Sequence, residues 1–350
     1  FEVPFVKFRQ NIIEGKREYT LPDGRIVVLP EEWFTRFKDI FTFSSTAGES
    51  IRLSRQHYPL IEGSMKEYSG KLLKNYQTCK TNQYSLPAGI EAHLREYQIK
   101  GYQWLMHLYH HSFGGCLSDD MGLGKTLQTL TLLKQVVNCE QEKNYGPVKS
   151  IHEKQLTIFD AMPETACKIK PSLIIVPTSL IHNWLNEINK FVPKIKAVVY
   201  SGQVRRNFRY YYENSHLIIT SYGIVRNDIE ELEQFRFLYI ILDESQLIKN
   251  PHSKTYKAVS RLNAEHRLVL TGTPIENSLT DLWAQMNFLN PGLLGTFDFF
   301  RNEFVIPIEK YDDEHQMQTL QTIIRPFVLR RTKNEVAPEL PERMEQIIYC

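Results

Sequence analysis

The 350-residue chain sets 42 Lys and Arg against 40 Asp and Glu, a formal net charge of +2, and is 42% hydrophobic. That is enough apolar content for one large core or two modest ones, and too even a charge balance for a uniformly basic nucleic-acid coat, so any such contact must come from a local patch. No apolar run approaches the roughly eighteen residues of a membrane span, the opening residues carry no signal-peptide pattern, and five scattered cysteines (Cys79, Cys116, Cys139, Cys167, Cys350), never at C-x-x-C spacing, point to reduced thiols inside a cell and no zinc site.

Residues 1–62 differ in pattern from the rest. Tyr19-Thr20-Leu21 and Arg25-Ile26-Val27-Val28-Leu29 flank Pro22-Asp23-Gly24, a hairpin signal with Asp-Gly at the turn. Glu31 to Phe41 predicts a short helix and Ile51 to Ile61 a further strand, giving a small β-rich appendage. Residues 63–85 read as a connector with some helix. From Leu86 the pattern becomes regular: His93 to His111 predicts a helix, with Leu94, Ile99, Tyr102, Leu105 and Leu108 on one side. Within it His107, His110 and His111 fall at i, i+3 and i+4, a spacing that can hold a metal. No neighbouring carboxylate completes such a site, and an ordinary half-buried helix face is the favoured reading.

Cys116-Leu117-Ser118 reads as the end of a buried strand, and Leu127, Leu130, Leu133 and Val137 recur at helical spacing. Between them lies Asp119-Asp120-Met121-Gly122-Leu123-Gly124-Lys125-Thr126, a glycine-rich turn from strand to helix. Its glycines let successive backbone N–H groups point at phosphate oxygens, and the positive end of the helix dipole faces the same anion. Lys125 can reach the β- and γ-phosphates, and the Thr126 hydroxyl can ligate Mg2+. One departure stands out: the generic phosphate-binding pattern has glycine where this chain has Asp119.

Residues 138–170 interrupt the rhythm with a polar tract read as a surface insertion. Apolar runs follow at Leu173–Val176, Ala197–Tyr200, Leu217–Ile219, Phe237–Leu242 and Leu268–Leu270, separated by helical segments such as Leu180 to Phe191 and Ile224 to Glu233. Continuous rather than alternating apolar runs predict a parallel sheet buried on both faces by helices, an α/β fold whose ligands bind beyond the carboxyl ends of the strands. Phe237–Leu242 runs straight into Asp243-Glu244-Ser245-Gln246. Adjacent carboxylates there suit a Walker B pair, Asp243 holding Mg2+ with Thr126 and Glu244 orienting the attacking water; a strand end with solvated acids is the plain alternative. Leu268–Leu270 leads into Thr271-Gly272-Thr273-Pro274, small hydroxyl residues suited to sensing carboxylates and phosphate, though a plain turn would read the same.

Seven blocks then resemble, in order, the first ATPase lobe of the Swi/Snf family of ATP-dependent DNA translocases in helicase superfamily two. Leu94 to Leu105 is similar to the Q-motif, Asp120 to Thr126 to motif I, Ile174 to Leu180 with Asn183-Trp184 to motif Ia, and Thr220-Ser221-Tyr222 to motif Ib. Leu242 to Asn250 resembles motif II, Leu270 to Asn277 motif III, and Arg325 to Lys333 the stretch that closes the lobe. The resemblance implies a RecA-like P-loop lobe over 86–335, ATP and Mg2+ as cofactors, and double-stranded DNA as partner. Gln98 would contact adenine; Asp120, Met121, Gly122, Leu123, Gly124, Lys125 and Thr126 would cradle the phosphates; Gln246, Thr271, Gly272 and Thr273 would couple the nucleotide to the rest. DNA would cross motifs Ia and Ib, where Thr178, Ser179, Thr220 and Ser221 suit phosphate contacts, with Arg330 and Arg331 as hinge or phosphate contacts. The cluster Arg205-Arg206-Asn207-Phe208-Arg209-Tyr210-Tyr211-Tyr212 could track a backbone, but a solvated helix face with its aromatics in the core is favoured.

Motif II reads Asp-Glu-Ser-Gln where many members have Asp-Glu-Ala-His, which keeps the catalytic pair and changes the coupling residues. Residues 336–350 resemble the linker and the first strand of a second lobe, which in the family supplies arginine fingers; without it, weak ATP binding and poor hydrolysis are expected. The rival readings are an RNA or DNA helicase of the same superfamily and a nucleotide-switched nucleic-acid-binding scaffold. Protein partners (a nucleoprotein complex or RNA polymerase among them) stay open. The bacterial look of residues 1–62 favours a cytoplasmic, nucleoid-associated protein, nuclear if the source is eukaryotic.

Overall fold

A computed structural model of the chain describes residues 3–64, 84–145, 169–272 and 278–336. It divides into two compact units, one formed by residues 1–79 with 290–326 and one by residues 80–289 with 327–350.

The second unit is built on a seven-stranded sheet: β5 (Gly115–Leu117), β6 (Ser172–Val176), β7 (Ala197–Val199), β8 (Leu217–Ser221), β9 (Arg236–Leu242), β10 (Asn263–Leu270) and β11 (Val328–Leu329). Their spatial order is β11-β5-β10-β9-β6-β8-β7, and every pairing is parallel. The continuous apolar runs explain this arrangement. β6 and β8 are buried at every position, and β9 at all but its first, which requires cover on both faces. Ile174, Val176, Leu217 and Ile219 share a core with Tyr102 and Leu105 of the helix Glu96–His111, Leu130 and Leu133 of the helix Lys125–Tyr145, and Trp184 and Ile188 of the helix Ile181–Phe191. Helices Tyr222–Asn227 and Leu279–Leu289 pack on further strands. This is the RecA-like α/β architecture expected.

Register aligns the strand ends. Leu270 lies opposite Leu117, Val269 opposite Leu242, and Ile175 opposite Leu242. The loops after β5, β10 and β9 therefore open at one edge of the sheet, where ligands of such folds bind.

Two expectations change. The polar tract from Asn138 to Asn144 is not a loop: the helix begun at Lys125 continues to Tyr145, carried by the strong helix formers Glu140, Gln141, Glu142 and Lys143. The remainder of the expected insertion, and most of the connector 63–85, lie outside the described residues.

The first unit is less β-rich than its sequence suggests. The hairpin forms as Glu18–Thr20 against Ile26–Val28 (β1, β2), and a second three-residue ribbon pairs Ser45–Ala47 with Ser50–Arg52 (β3, β4). The strand expected over 51–61 stops at Arg52, because Pro59 stands in the first turn of the helix Tyr58–Ser64, a position proline favours. Helices, chiefly Glu31–Phe43 and Glu314–Ile324, dominate the unit. Its core is aromatic: Phe5 meets Trp33 edge-on with ring centres 4.9 Å apart and Phe37 at 5.0 Å. Residues 290–326, read from sequence as part of the lobe, pack here instead; Thr319 donates to Asp39 at 3.0 Å and the His57 ring meets the Leu293 carbonyl at 2.7 Å.

Gly114, just before β5, supplies a test of the packing. A Cβ there would sit 2.4 Å from the Leu289 carbonyl oxygen, a backbone atom that cannot swing away. Gly114→Ala is expected to destabilise the sheet unit by about 1–3 kcal/mol, read as a lower urea midpoint at unchanged slope.

Candidate active site

The loop between β5 and the helix Lys125–Tyr145 turns through Gly122 (φ 88°) and Gly124 (φ 75°), backbone conformations that side-chain-bearing residues rarely adopt. Lys125 lies folded onto its own loop, Nζ donating to the Asp119 carbonyl at 2.6 Å and the Asp120 carbonyl at 3.3 Å. Burial lowers its pKa from the ordinary lysine value, and the carboxylates of Asp119, Asp243, Glu244 and Asp120 oppose that shift. The loop is braced from the helix Glu96–His111. Gln98 accepts from the Arg95 N–H at 2.9 Å, half of a capping box, and donates to the Leu123 carbonyl at 3.3 Å; the Tyr97 hydroxyl reaches the same carbonyl at 3.1 Å. Gln98 is only 7% exposed, so here it holds the loop, and a contact with adenine would require it to exchange one of these bonds. An open groove of about 830 Å³, lined by Arg95, Tyr97, Lys100, Leu329 and Arg331 among others, runs beside it.

Asp119, which stands in place of the generic glycine, is completely buried and paired with Arg331. The Arg331 Nε donates to Oδ1 at 2.9 Å and a terminal nitrogen donates to Oδ2, a bidentate fork. The same guanidinium donates to the Gln128 side chain at 2.8 Å and to the Tyr97 carbonyl, and lies over the Tyr97 ring at 5.3 Å. Backbone bonds extend the attachment: Ser118 N–H to Leu329 O at 2.7 Å, Asp120 N–H to Arg331 O at 3.1 Å, and Lys333 N–H to the Asp120 carboxylate at 2.9 Å. The residues that follow β11 are thus laced to the phosphate-binding loop.

At the end of β9 the backbone of Asp243 is still held by the sheet, its N–H donating to Ile175 O at 2.9 Å. Its carboxylate accepts from the Trp184 indole at 2.8 Å and from the Glu244 N–H at 3.0 Å, and its carbonyl from the Tyr222 hydroxyl at 2.7 Å. Burial raises the Asp243 pKa, and those two donors to the carboxylate oppose the shift. Glu244 has left-handed backbone (φ 49°, ψ 56°), uncommon for a residue with a side chain, and Gln246 donates to its carboxylate at 2.7 Å. Glu187 stands beside them: it accepts from Asn183 at 3.1 Å, and burial raises its pKa against the opposing influence of the neighbouring Asn183 and Thr126 side chains. Thr126, Asp243 and Glu187 offer only oxygen ligands, the set that suits Mg2+. Among the described residues no three His, Cys, Asp or Glu side chains could hold a metal by themselves, so a cation here would draw its remaining ligands from a nucleotide and water.

A family model described as the SNF2-related domain matches residues 97–350. The chain belongs to the SNF2-related family. It is 38% identical over 284 residues, 77% of its length, to the TATA-binding protein-associated factor MOT1 of Saccharomyces cerevisiae, and 38% identical over 315 residues, 88% of its length, to the candidate ATP-dependent helicase/translocase YwqA of Bacillus subtilis. It spans only 14% and 30% of those proteins. Among solved structures it is similar to the Sulfolobus solfataricus SWI2/SNF2 ATPase core in complex with double-stranded DNA, at 38% identity and TM-score 0.59, with 72% of this chain and 49% of that one covered.

In this SNF2-related lobe the remaining predicted residues are dispersed. Met121 is 61% exposed at the tip of the loop and overlies Gly272, where an added Cβ would be 3.0 Å from Met121 Cγ. Thr271 is buried, its N–H bonded to Leu117 O at 3.2 Å. Thr273 lies outside the described residues. Thr178, Ser179 and Arg330 are exposed. Thr220 and Ser221 are not the free phosphate donors expected. Thr220 is fully buried and donates to the Tyr200 carbonyl at 3.1 Å, while Ser221 is 6% exposed and caps the helix Tyr222–Asn227 by accepting from Ile224 N–H. Arg331, committed to Asp119, is likewise no free DNA contact. Arg205 pairs with Asp228 and Arg209 with Glu213, while Phe208 is buried against Tyr200. His110 stacks on Tyr84, and His107 meets His111 edge-on. Trp184 and Tyr222 fell inside the blocks resembling motifs Ia and Ib but were given no role from sequence, and Glu187, one turn after Asn183 on the same helix, lay outside them.

Arg331→Ala would leave the Asp119 carboxylate buried without its counter-charge. The expected cost is about 3–5 kcal/mol, measured by chemical denaturation. Arg331→Lys is expected to recover only part of it, because an ammonium cannot reproduce the planar fork.

Proposed function

We propose that this chain is the ATP-binding lobe of an ATP-dependent double-stranded DNA translocase that moves along duplex without separating its strands. The observation that carries the reading is the meeting, at the ends of β5 and β9, of Lys125 and Thr126 with Asp243 and Glu244. The similarity to an ATPase core solved with double-stranded DNA supports the choice of duplex as partner.

The residues divide the work. Lys125 exchanges the carbonyls of Asp119 and Asp120 for β- and γ-phosphate oxygens, while the N–H groups around Gly122 and Gly124 take the rest of the anion. The purine enters the groove beside Tyr97 and Arg95. Thr126 and Asp243 would hold the cation, with Asp243 kept in position by Trp184. Magnesium, when bound, neutralises charge that develops on the transferring phosphoryl group. Glu244, steadied by Gln246, orients the attacking water. Thr178, Ser179 and Arg330 contact DNA phosphates, positioning the lobe without reading sequence. A second lobe would supply the arginine that completes the site, worth roughly three to five orders of magnitude in rate. The target is a nucleoprotein complex, reached in the cytoplasm of a bacterial cell or in a eukaryotic nucleus.

The decisive experiment measures ATP turnover by the lobe alone and by the chain extended through a second lobe, with duplex, single-stranded DNA or RNA. Turnover confined to the extended chain and stimulated mainly by duplex is expected, with no strand separation and with loss of activity in Lys125→Ala. Stimulation by RNA alone would indicate an RNA helicase, and silence with every nucleic acid a nucleotide-switched scaffold. The lowered pKa of Lys125 gives a second expectation. Phosphate binding needs the ammonium form, so nucleotide affinity falls as pH rises through the Lys125 pKa, at lower pH than for an exposed lysine; titrating affinity against pH checks this.

A further inference from the structure

We propose that Glu187 belongs to the cation site, fixing the Thr126 hydroxyl and accepting hydrogen bonds from water molecules around the magnesium that Thr126 and Asp243 hold. The proposal rests on the reading of the Lys125 loop as a Mg2+–nucleotide site. Glu187 lies three residues after Trp184 on the helix Ile181–Phe191, so the two side chains share a face. Trp184 donates to the Asp243 carboxylate at 2.8 Å, and Glu187 lies close to both Thr126 and Asp243. One helix therefore touches both residues expected to hold the cation, one from β9 and one from the phosphate-binding loop. Asn183, a turn earlier, donates to Glu187 Oε1 at 3.1 Å and holds the carboxylate from its other side.

The chemistry fits a water-mediated role better than direct ligation. Mg2+ retains several waters and takes one or two carboxylates along with substrate phosphates. A carboxylate beside the Thr126 hydroxyl would offer an acceptor to a water of that shell. Its negative charge beside Asp243 also raises the local attraction for a divalent cation, while Lys125 is occupied with loop carbonyls. Groups bonded to a metal's ligands orient them, and their loss typically weakens metal affinity by about 10–100-fold.

The test is a Mg2+ titration of binding of a fluorescent ADP analogue by the full chain, beside the same binding in EDTA. Glu187→Gln keeps the side chain's length and one of its oxygens and removes the charge. Its Mg2+ midpoint is expected to rise by about tenfold or more, with affinity in EDTA unchanged, and Glu187→Asp is expected to restore most of the shift. An unchanged midpoint overturns the proposal. So does an equal loss of affinity with and without Mg2+, which marks a residue that only supports the fold. Equal shifts in Glu187→Asp and Glu187→Gln also count against the charge. If the wild-type chain binds no nucleotide, or Lys125→Ala binds it equally well, the nucleotide reading itself fails, an outcome separate from the others.

Discussion

The Asp119–Arg331 pair is the constraint on which the phosphate-binding loop depends. A carboxylate with no exposed surface at the root of the loop is tolerable only if a cation meets it with matched geometry, and Arg331 does so with a fork. The generic glycine at this position would need no partner. Its replacement by Asp119 makes the loop's shape conditional on a residue 212 positions away, delivered by the edge strand β11. Gln128 and Tyr97, which touch the same guanidinium, donate in turn to the carbonyls of Gly124 and Leu123, the second of which also accepts from Gln98, so the brace and the pair form one network.

On the far side of the loop the carboxylates are held with unequal firmness. Asp243 is half-buried and bonded by an indole, a backbone N–H and, through its carbonyl, a tyrosine; a side chain so fixed has little freedom left to lose. Among the described residues, the Glu244 carboxylate is steadied only by the exposed side chain of Gln246. The helix Ile181–Phe191 follows the exposed Thr178–Ser179 turn and reaches Asp243 through Trp184.

Much of this was legible in the sequence, and the limits were physical. Buried parallel strands announce themselves by unbroken apolar runs, so β6, β8 and β9 and the residues at their ends were readable, whereas of β10 only Leu268–Leu270 showed and its polar first half did not. The two-residue strand β11 has no such run; only its pairing with β5 defines it. Hydroxyls at strand ends are ambiguous in the same way. Thr178 and Thr220 follow or end neighbouring strands, yet one is exposed and the other bonds the Tyr200 carbonyl in the interior, a difference set by the chain beside each. The role of Glu187 depends on a helix presenting it to Thr126, which no linear motif encodes.

The path of the chain has a consequence for biosynthesis. After Leu289 the polypeptide leaves the sheet unit, contributes residues 290–326 to the other unit, and returns at Phe327 to lay β11 beside β5. A ribosome therefore releases β5 and the phosphate-binding loop more than two hundred residues before the arginine that neutralises Asp119. Contacts this distant in sequence form slowly, because a long loop must close before they are rewarded. The nascent sheet can assemble its central strands early, but its nucleotide loop acquires its lasting shape only when the edge strand docks, which makes that docking the last checkpoint in the maturation of the lobe.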